Sequence, residues 1–137
     1  MMYVVRKEHF NAAHRLYNPA WTDEHNWEVF GNCSNKNGHG HNFDLEVTVA
    51  GEIMPETGFV MDMKVLGDLI TREITDKVDH KNLNLDVDFL RGVIPSCENL
   101  IIAFWNILAP QVAALGSARL HRIRLQETNK NSVEYLG

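Results

Sequence analysis

The stretch that decides the fold reads Cys33-Ser34-Asn35-Lys36-Asn37-Gly38-His39-Gly40-His41-Asn42. The apolar side chains after it alternate strictly with polar ones and are Phe43, Leu45, Val47 and Val49. This alternation predicts a half-buried strand, on which residues two apart share a face. His39 and His41 are therefore expected on the buried face, roughly 6–7 Å apart along the backbone, where they can converge on one metal ion. An isolated His-x-His pair is equally consistent with two strand-end histidines that bond only water or backbone groups.

A third histidine is expected on a second strand. Residues 3–14 are interpreted as this strand, in which Phe10, Ala12 and His14 share one face. By itself, a histidine on such an apolar face is more often a hydrogen-bonded core residue than a ligand. If strand pairing brings His14 to His39 and His41, three imidazoles with one open position form the arrangement of a catalytic zinc site.

Cys33 lies six residues before His39 in a polar loop. A cysteine with a packing role prefers an apolar setting, so we interpret Cys33 as a reactive residue whose thiolate a nearby metal would favour. The alternative is that Cys33 is a fourth zinc ligand, which would close the site and make it structural.

The length and composition restrict the class of protein. The chain has 137 residues, 45% of them hydrophobic, and a formal charge of −5. These values predict one domain, residues 1–137, and disfavour nucleic acid as a partner. No run of 18 apolar residues occurs and the first residues do not resemble a signal peptide, so we expect no membrane span and a cytoplasmic location.

The remaining periodicities complete an α+β pattern. Thr22 or Asp23 begins a short helix, and strands are expected at Leu120–Glu127 and Ser132–Leu136, with His121 on the buried face of the first of these. Two amphipathic helices are expected, one with Asp62 and the other with Ser96 as its N-cap. The apolar stripe of the first helix is Val65, Leu66, Leu69, Ile70, Ile74 and Val78. The order ββααββ predicts an antiparallel four-stranded sheet with two helices on one face, whose unpaired edges invite association.

Two polar groups have both a structural and a functional interpretation. Asp79-His80 follows the first helix and is either an acid–base pair or a histidine stabilised by the helix dipole. Glu127 ends an otherwise apolar strand face, and a carboxylate there needs a pair of donors. If the protein offers none, a ligand with two adjacent N–H groups is a natural partner. Cys97, in the first turn of the second helix, is interpreted as a small, half-buried residue.

Several motifs together resemble the pterin synthase family, which comprises 6-pyruvoyl- and 6-carboxy-tetrahydropterin synthases. They are Phe10-Asn11-Ala12-Ala13-His14, Cys33 with five residues before His39-Gly40-His41-Asn42, Asp79-His80-Lys81-Asn82-Leu83-Asn84, Glu98-Asn99 and Glu127-Thr128. The motifs occur in family order over nearly the whole chain, so the combined pattern is more specific than any one of them.

The resemblance implies a tunnelling fold (T-fold) and a hexamer of two trimers whose sheets close into barrels. It implies one Zn²⁺ per chain on His14, His39 and His41. It implies a catalytic group of Cys33, Asp79 and His80, of a kind that two subunits can share, and substrate contacts from Ser96, Glu98 and Glu127. The implied substrate is 7,8-dihydroneopterin triphosphate, converted to 6-pyruvoyl-tetrahydropterin with loss of triphosphate. No nicotinamide or flavin is expected, because the chain lacks a glycine-rich dinucleotide fingerprint.

Two departures from the family pattern bear on the activity. The family often has a threonine-rich sequence where this chain has Ser96-Cys97. The five-residue gap between Cys33 and His39 resembles the pyruvoyl-forming enzymes of animals, whereas carboxy-forming enzymes often have a shorter gap. The alternative is therefore a 6-carboxy-5,6,7,8-tetrahydropterin synthase of queuosine biosynthesis, which releases acetaldehyde and triphosphate from the same substrate.

Two classes outside catalysis also remain open. A non-catalytic module that binds a pterin or purine would need only Glu127. A structural zinc protein acting through its oligomer would have a closed, four-ligand site. The presence of Cys33 together with Asp79 and His80 disfavours the binding module.

Overall fold

Two long antiparallel strands form the centre of the structure, a computed structural model that describes residues 1–137. They are β1 (Met2–His14) and β2 (His39–Gly51), paired without interruption from Met2 opposite Gly51 to His14 opposite His39. The strand predicted from the alternation after His41 is confirmed, and its apolar residues Phe43, Leu45 and Val47 are fully buried. The register therefore places the ends of both strands, with their histidines, side by side.

Three further strands, β3 (Lys81–Asn82), β4 (Arg119–Gln126) and β5 (Ser132–Tyr135), complete a five-stranded sheet in the order β3-β1-β2-β4-β5. Strand β4 pairs with β2, and β5 pairs with β4, both antiparallel. The predicted four-stranded antiparallel sheet was incomplete, because β3 pairs parallel to residues 12–13 of β1. Two residues are too few to produce an alternating pattern, so the sequence carried no signal for this strand.

Four α-helical segments accompany the sheet. Helix α1 (Asp23–Phe30) begins after Thr22, whose side chain accepts a hydrogen bond from the amide of His25. Helix α2 (Met63–Ile70) begins after Asp62, continues through a π-helical turn (Thr71–Thr75) and ends in the single turn α3 (Asp76–Val78). Helix α4 (Cys97–Ala114) begins after Ser96. The sequence periodicity predicted one continuous helix from α2 through α3. The π-helical turn within it was not predicted, because apolar spacing does not distinguish a π turn from an α turn.

The core lies between one sheet face and helices α2 and α4. Phe10 and Phe43 stack with ring centroids 4.7 Å apart, and Phe104 of α4 meets Phe10 edge-on at 6.0 Å. All predicted stripe residues of α2 and α3 are buried except Val65, which is 42% exposed. Val65 is the third residue of α2 and directly precedes the fully buried Leu66.

The other face of the sheet is charged. Glu46 of β2 lies 3.4 Å from the Lys7 ammonium of β1 and 3.6 Å from the Arg124 guanidinium of β4. Arg124 also approaches Glu134 of β5 at 3.7 Å. A row of alternating charges thus crosses four strands on the face that the helices leave uncovered.

The sequence predicted His121 on the buried face of its strand, but His121 does not lie there. The β2–β4 register shifts between Thr48 and Val49, so Leu120 pairs with Val49 and is buried, while Arg122 pairs with Thr48. His121 is the extra residue of this bulge, and its ring packs against Tyr3 with centroids 4.4 Å apart. A bulge adds one residue to one strand and so breaks the period of two on which the prediction relied.

No helix combines the length and the apolar character needed to cross a membrane.

Neighbouring positions of α2 provide a matched test of the core. Leu66 is fully buried, whereas Val65 is 42% exposed. We expect Leu66→Ala to lower the free energy of unfolding by about 2–5 kcal/mol, because it leaves a cavity under the helix. We expect Val65→Ala to change it by less than about 0.5 kcal/mol. Urea denaturation measures both values, and equal losses would contradict this packing of α2.

Candidate metal centre and active site

Three histidines meet where the ends of β1 and β2 pair. His14 lies opposite His39 in the ladder, and Ala12 lies opposite His41. The ring centroids are 4.6 Å apart for His14 and His39, 5.1 Å for His14 and His41, and 4.8 Å for His39 and His41. One nitrogen from each ring lies within 4.8 Å of the other two. The strand register therefore produces a three-histidine group compatible with a metal ion.

Gly38 allows the chain to enter β2 beside His14. Its φ is +72°, and a Cβ atom on it would lie 2.9 Å from the carbonyl oxygen of His14. Glycine is the residue that adopts this backbone conformation and approach without strain. Gly38, directly before the His-x-His motif, thus helps to position that motif beside His14.

Hydrogen bonding leaves two ring nitrogens free to act as ligands. Nδ1 of the fully buried His14 lies 2.8 Å from the Pro95 carbonyl oxygen, which fixes that nitrogen as the donor. Nε2 of His14 and Nε2 of His41 are both buried without a hydrogen-bond partner. Buried polar atoms are nearly always paired, and metal-ligating histidines usually donate their other N–H to a carbonyl or carboxylate. The donor set therefore fits a bound metal such as zinc.

Burial and neighbouring imidazoles lower the pKa of His14 and of His39, which favours the neutral form that a metal ligand requires. Burial is the main cause that lowers the pKa of His14, and the adjacent His39 and His41 lower it further. The hydrogen bond to the Pro95 carbonyl acts in the opposite direction. Burial, followed by the proximity of His41, also lowers the pKa of His39.

Glu127 lies beside the three histidines, at the end of β4. Its Oε1 is 3.6 Å from Nε2 of His41, and its Oε2 accepts a hydrogen bond from the Cys97 thiol at 2.9 Å. A cavity of about 430 Å³ opens at this carboxylate. The cavity is lined by Leu16, Ser96, Cys97, Glu98, Glu127, Lys130, Asn131, Ser132 and Val133. The three residues predicted to contact substrate, Ser96, Glu98 and Glu127, therefore share one cavity next to the candidate metal centre.

The contact of Cys97 with Glu127 was not predicted from the sequence. The residue is buried, and its thiol points at the Glu127 carboxylate. Burial, and then the hydrogen bond to Glu127, raise the pKa of this thiol far above its ordinary value. The two residues are 30 positions apart in the chain, so only the tertiary structure brings them together.

Cys33 lies in a 3₁₀ turn (Gly31–Ser34) and is half-buried. Its carbonyl oxygen accepts a hydrogen bond from the amide of Leu16 at 2.8 Å, which fixes the turn two residues beyond His14. Arg15 also binds this turn, through a bond of 2.7 Å from Nε to the Ser34 carbonyl. The group of potential metal ligands contains the three histidines and not Cys33. This arrangement favours an open metal site over a closed one.

Asp79 and His80 lie at the outer edge of β1. Asp79 accepts a hydrogen bond from the amide of Asn11 at 2.8 Å and lies 2.9 Å from Nδ1 of His80. The amide of His80 in turn donates to the Asn11 carbonyl. The Asn11 bond and then the His80 bond lower the pKa of Asp79. His80 has a φ of +59°, a conformation rare outside glycine that occurs disproportionately at functional sites.

The Asp79-His80 pair opens onto the opposite side of the sheet from the three histidines. It lines a cavity of about 490 Å³ together with Asn11 and Asn42. Both asparagines are exposed and hydrogen-bonded to each other, whereas Phe10 and Phe43, their neighbours in sequence, are buried in the core. His41 shares the face of Phe43 because side chains alternate along a strand. Within a single chain, the predicted catalytic residues Asp79 and His80 therefore do not lie at the candidate metal centre.

The chain belongs to the 6-pyruvoyl tetrahydropterin synthase family, which it matches over residues 3–137. It is 43% identical over 135 residues to the 6-pyruvoyl tetrahydrobiopterin synthase of Poecilia reticulata, covering 98% of this chain and 90% of the relative. The human protein of that name is 41% identical over 134 residues, with the same coverage. The Caenorhabditis elegans 6-pyruvoyl tetrahydropterin synthase structure superposes with a TM-score of 0.89 at 36% identity, covering 99% of this chain and 95% of that one.

Metal analysis can separate the two interpretations of Cys33. We expect the wild-type protein to bind about one zinc ion per chain and His14→Ala to lose it, because a ligand and the contact with Pro95 are both removed. Cys33→Ala is expected to keep the metal. The exposed His25 provides the control, since His25→Ala makes the same chemical change outside the three-histidine group. Zinc is measured by plasma mass spectrometry after dialysis, and its loss in Cys33→Ala would identify Cys33 as a ligand.

Proposed function

We propose that this protein is a zinc-dependent lyase that converts 7,8-dihydroneopterin triphosphate to 6-pyruvoyl-tetrahydropterin with release of triphosphate. The observation that carries the proposal is the position of the Glu127 cavity directly beside the three-histidine group. A carboxylate that anchors a flat heterocycle and a metal that binds its side chain need to lie within one substrate length of each other. Membership of the pterin synthase family supports the same reaction.

Glu127 is proposed to bind the pterin ring. A pterin carries a 2-amino group next to a ring N–H, and a carboxylate accepts two such parallel donors in a bidentate arrangement. Ser96 and Glu98 line the same cavity and are proposed as further contacts to the ring. With the ring held at Glu127, the substrate side chain is proposed to extend to the three-histidine group, which lies beside that carboxylate.

His14, His39 and His41 would hold the zinc ion, which supplies Lewis acidity at the hydroxyl groups of the substrate side chain. Cys33 is proposed to take a proton from a side-chain carbon as a thiolate. Its carbonyl oxygen accepts a hydrogen bond from the amide of Leu16, a residue that lines the Glu127 cavity. Asp79 and His80 are proposed to carry protons to and from the substrate, with the ionised Asp79 setting the orientation of the imidazole. The elimination and the double-bond shifts that follow leave the redox change within the substrate.

A shared active site would bring Asp79 and His80 of one subunit to the metal centre of another. Support comes from the separation of the two groups on opposite faces of the sheet within one chain. The sheet also has two free edges, β5 on one side and most of β1 on the other, because β3 covers only residues 12–13. Pairing between free edges is a common route to association. We therefore propose a barrel-forming homo-oligomer, with a hexamer of two trimers as the assembly.

Mixing two inactive variants tests the shared site. Cys33→Ala and His80→Asn should each lower turnover by about 100-fold or more, because each removes a proton-transfer group. Asparagine is chosen because it tolerates positive φ. In hetero-oligomers co-expressed at equal ratio, about a quarter of the sites would combine both native residues, so turnover should rise toward a quarter of the wild-type value.

Co-expression of Cys33→Ala with the double variant Cys33→Ala/His80→Asn provides the control, since no site can then contain a native cysteine. Activity of the mixed variants no higher than that of either alone would place Cys33 and His80 of the same chain in one site.

Product identification tests the reaction itself. We expect zinc-loaded protein incubated with 7,8-dihydroneopterin triphosphate to form a pterin with a pyruvoyl side chain, detected by mass spectrometry. Support for this product over the alternative is the five-residue gap between Cys33 and His39, which resembles the gap of pyruvoyl-forming enzymes. A carboxylate at C6 with release of acetaldehyde would instead assign the 6-carboxy-tetrahydropterin synthase reaction. Bound but unchanged substrate would indicate a binding module.

A further inference from the structure

The thiol of Cys97 forms a hydrogen bond that the proposed reaction does not use. Its Sγ lies 2.9 Å from Oε2 of Glu127 and is buried with the rest of the residue. We propose that Cys97 is a positioning residue, whose S–H donor fixes the Glu127 carboxylate in the orientation that receives the pterin ring. This inference rests on the proposed role of Glu127 as the pterin anchor.

The Cys97 bond is the only hydrogen bond that the protein donates to the Glu127 side chain. The nearest other nitrogen, Nε2 of His41, is 3.6 Å from Oε1, which is too far for a hydrogen bond. Rotation about the last bond of the glutamate side chain is broad and twofold, so without a partner the plane of the carboxylate would vary. One donor on Oε2 selects a single plane and leaves lone pairs on both oxygens for a ligand.

The backbone around Cys97 is held from both sides, so the thiol is a fixed donor. The Pro95 carbonyl accepts the hydrogen bond from His14 at 2.8 Å. The Ser96 hydroxyl caps helix α4 by accepting from the amide of Asn99, and the Asn99 side chain donates to the Ile94 carbonyl. The carboxylate of Glu127 also faces the first turn of an 18-residue helix, where negative charge is favoured. The short segment from Pro95 to Cys97 therefore contacts both the candidate metal centre and the pterin anchor.

A pair of variants with the same shape isolates the hydrogen bond. Threonine and valine are nearly isosteric, but only Cys97→Thr retains a donor at this position. We expect Cys97→Thr to bind a pterin about as well as the wild-type protein. We expect Cys97→Val to bind about tenfold more weakly or worse, since a hydrogen bond to a charged group is lost. Biopterin, which carries the ring donors but not the triphosphate, serves as the fluorescent probe in equilibrium titrations.

Three control measurements exclude a general loss of structure. Thermal unfolding and zinc content should be the same for Cys97→Thr and Cys97→Val, because both fill the same space. With the triphosphate substrate, the KM of Cys97→Val should rise by about the factor seen in the binding titration, with a smaller change in kcat, because ring binding and not proton transfer is affected.

Each outcome of the comparison is decisive. Weaker binding by Cys97→Val alone, at equal zinc content, supports the positioning role. Equal binding by the two variants, or a loss of zinc that accounts for the weaker binding, overturns the inference and leaves the proposed function intact. Failure of the wild-type protein to bind biopterin or the substrate overturns the proposed function and the inference together.

Discussion

The antiparallel pairing of β1 with β2 is the constraint on which the rest of the structure depends. Because the ladder runs unbroken from Met2 opposite Gly51, its last pair places His14 against His39. A shift of one residue in this register would turn Phe43 and its neighbours out of the core and separate the histidines in the same step. Burial of the apolar face therefore stabilises the fold and the candidate metal centre through one set of contacts.

The two faces of the sheet carry different chemistry for the same reason. Alternation directs Phe10 and His14 toward the helices and directs Asn11 to the open face, where it contacts Asn42 and Asp79. A single strand thus supplies one histidine of the candidate metal centre and the support of the Asp79-His80 pair, on opposite sides. In the proposed enzyme, neither group can reach the other without a second subunit, which gives the oligomer a chemical role beyond stability.

Local patterns predicted the parts of this structure that depend on local physics. Alternation located β2 and its histidines. The predicted caps Asp62 and Ser96 precede helices, and both side chains accept hydrogen bonds from backbone amides there. The β3 strand, the bulge at His121 and the Cys97–Glu127 contact were not predictable in this way. Each depends on a partner distant in sequence: residues 12–13, Thr48 and Glu127. The resemblance to a family named the site residues but did not show that they lie on two faces.

The π-helical turn Thr71–Thr75 makes the number of residues before Asp79 matter more than their identity. An α-helix advances about 1.5 Å and 100° per residue, so removing one residue from this turn would restore α geometry and rotate everything beyond it. The two backbone hydrogen bonds of Asn11, to the Asp79 carboxylate and from the His80 amide, would then lose their alignment. Many substitutions on the exposed side of this turn can be tolerated, but a deletion there disconnects the acid–base pair from the sheet edge. A change of length in this segment is thus expected to disturb the Asp79-His80 pair more than a point change on its exposed side.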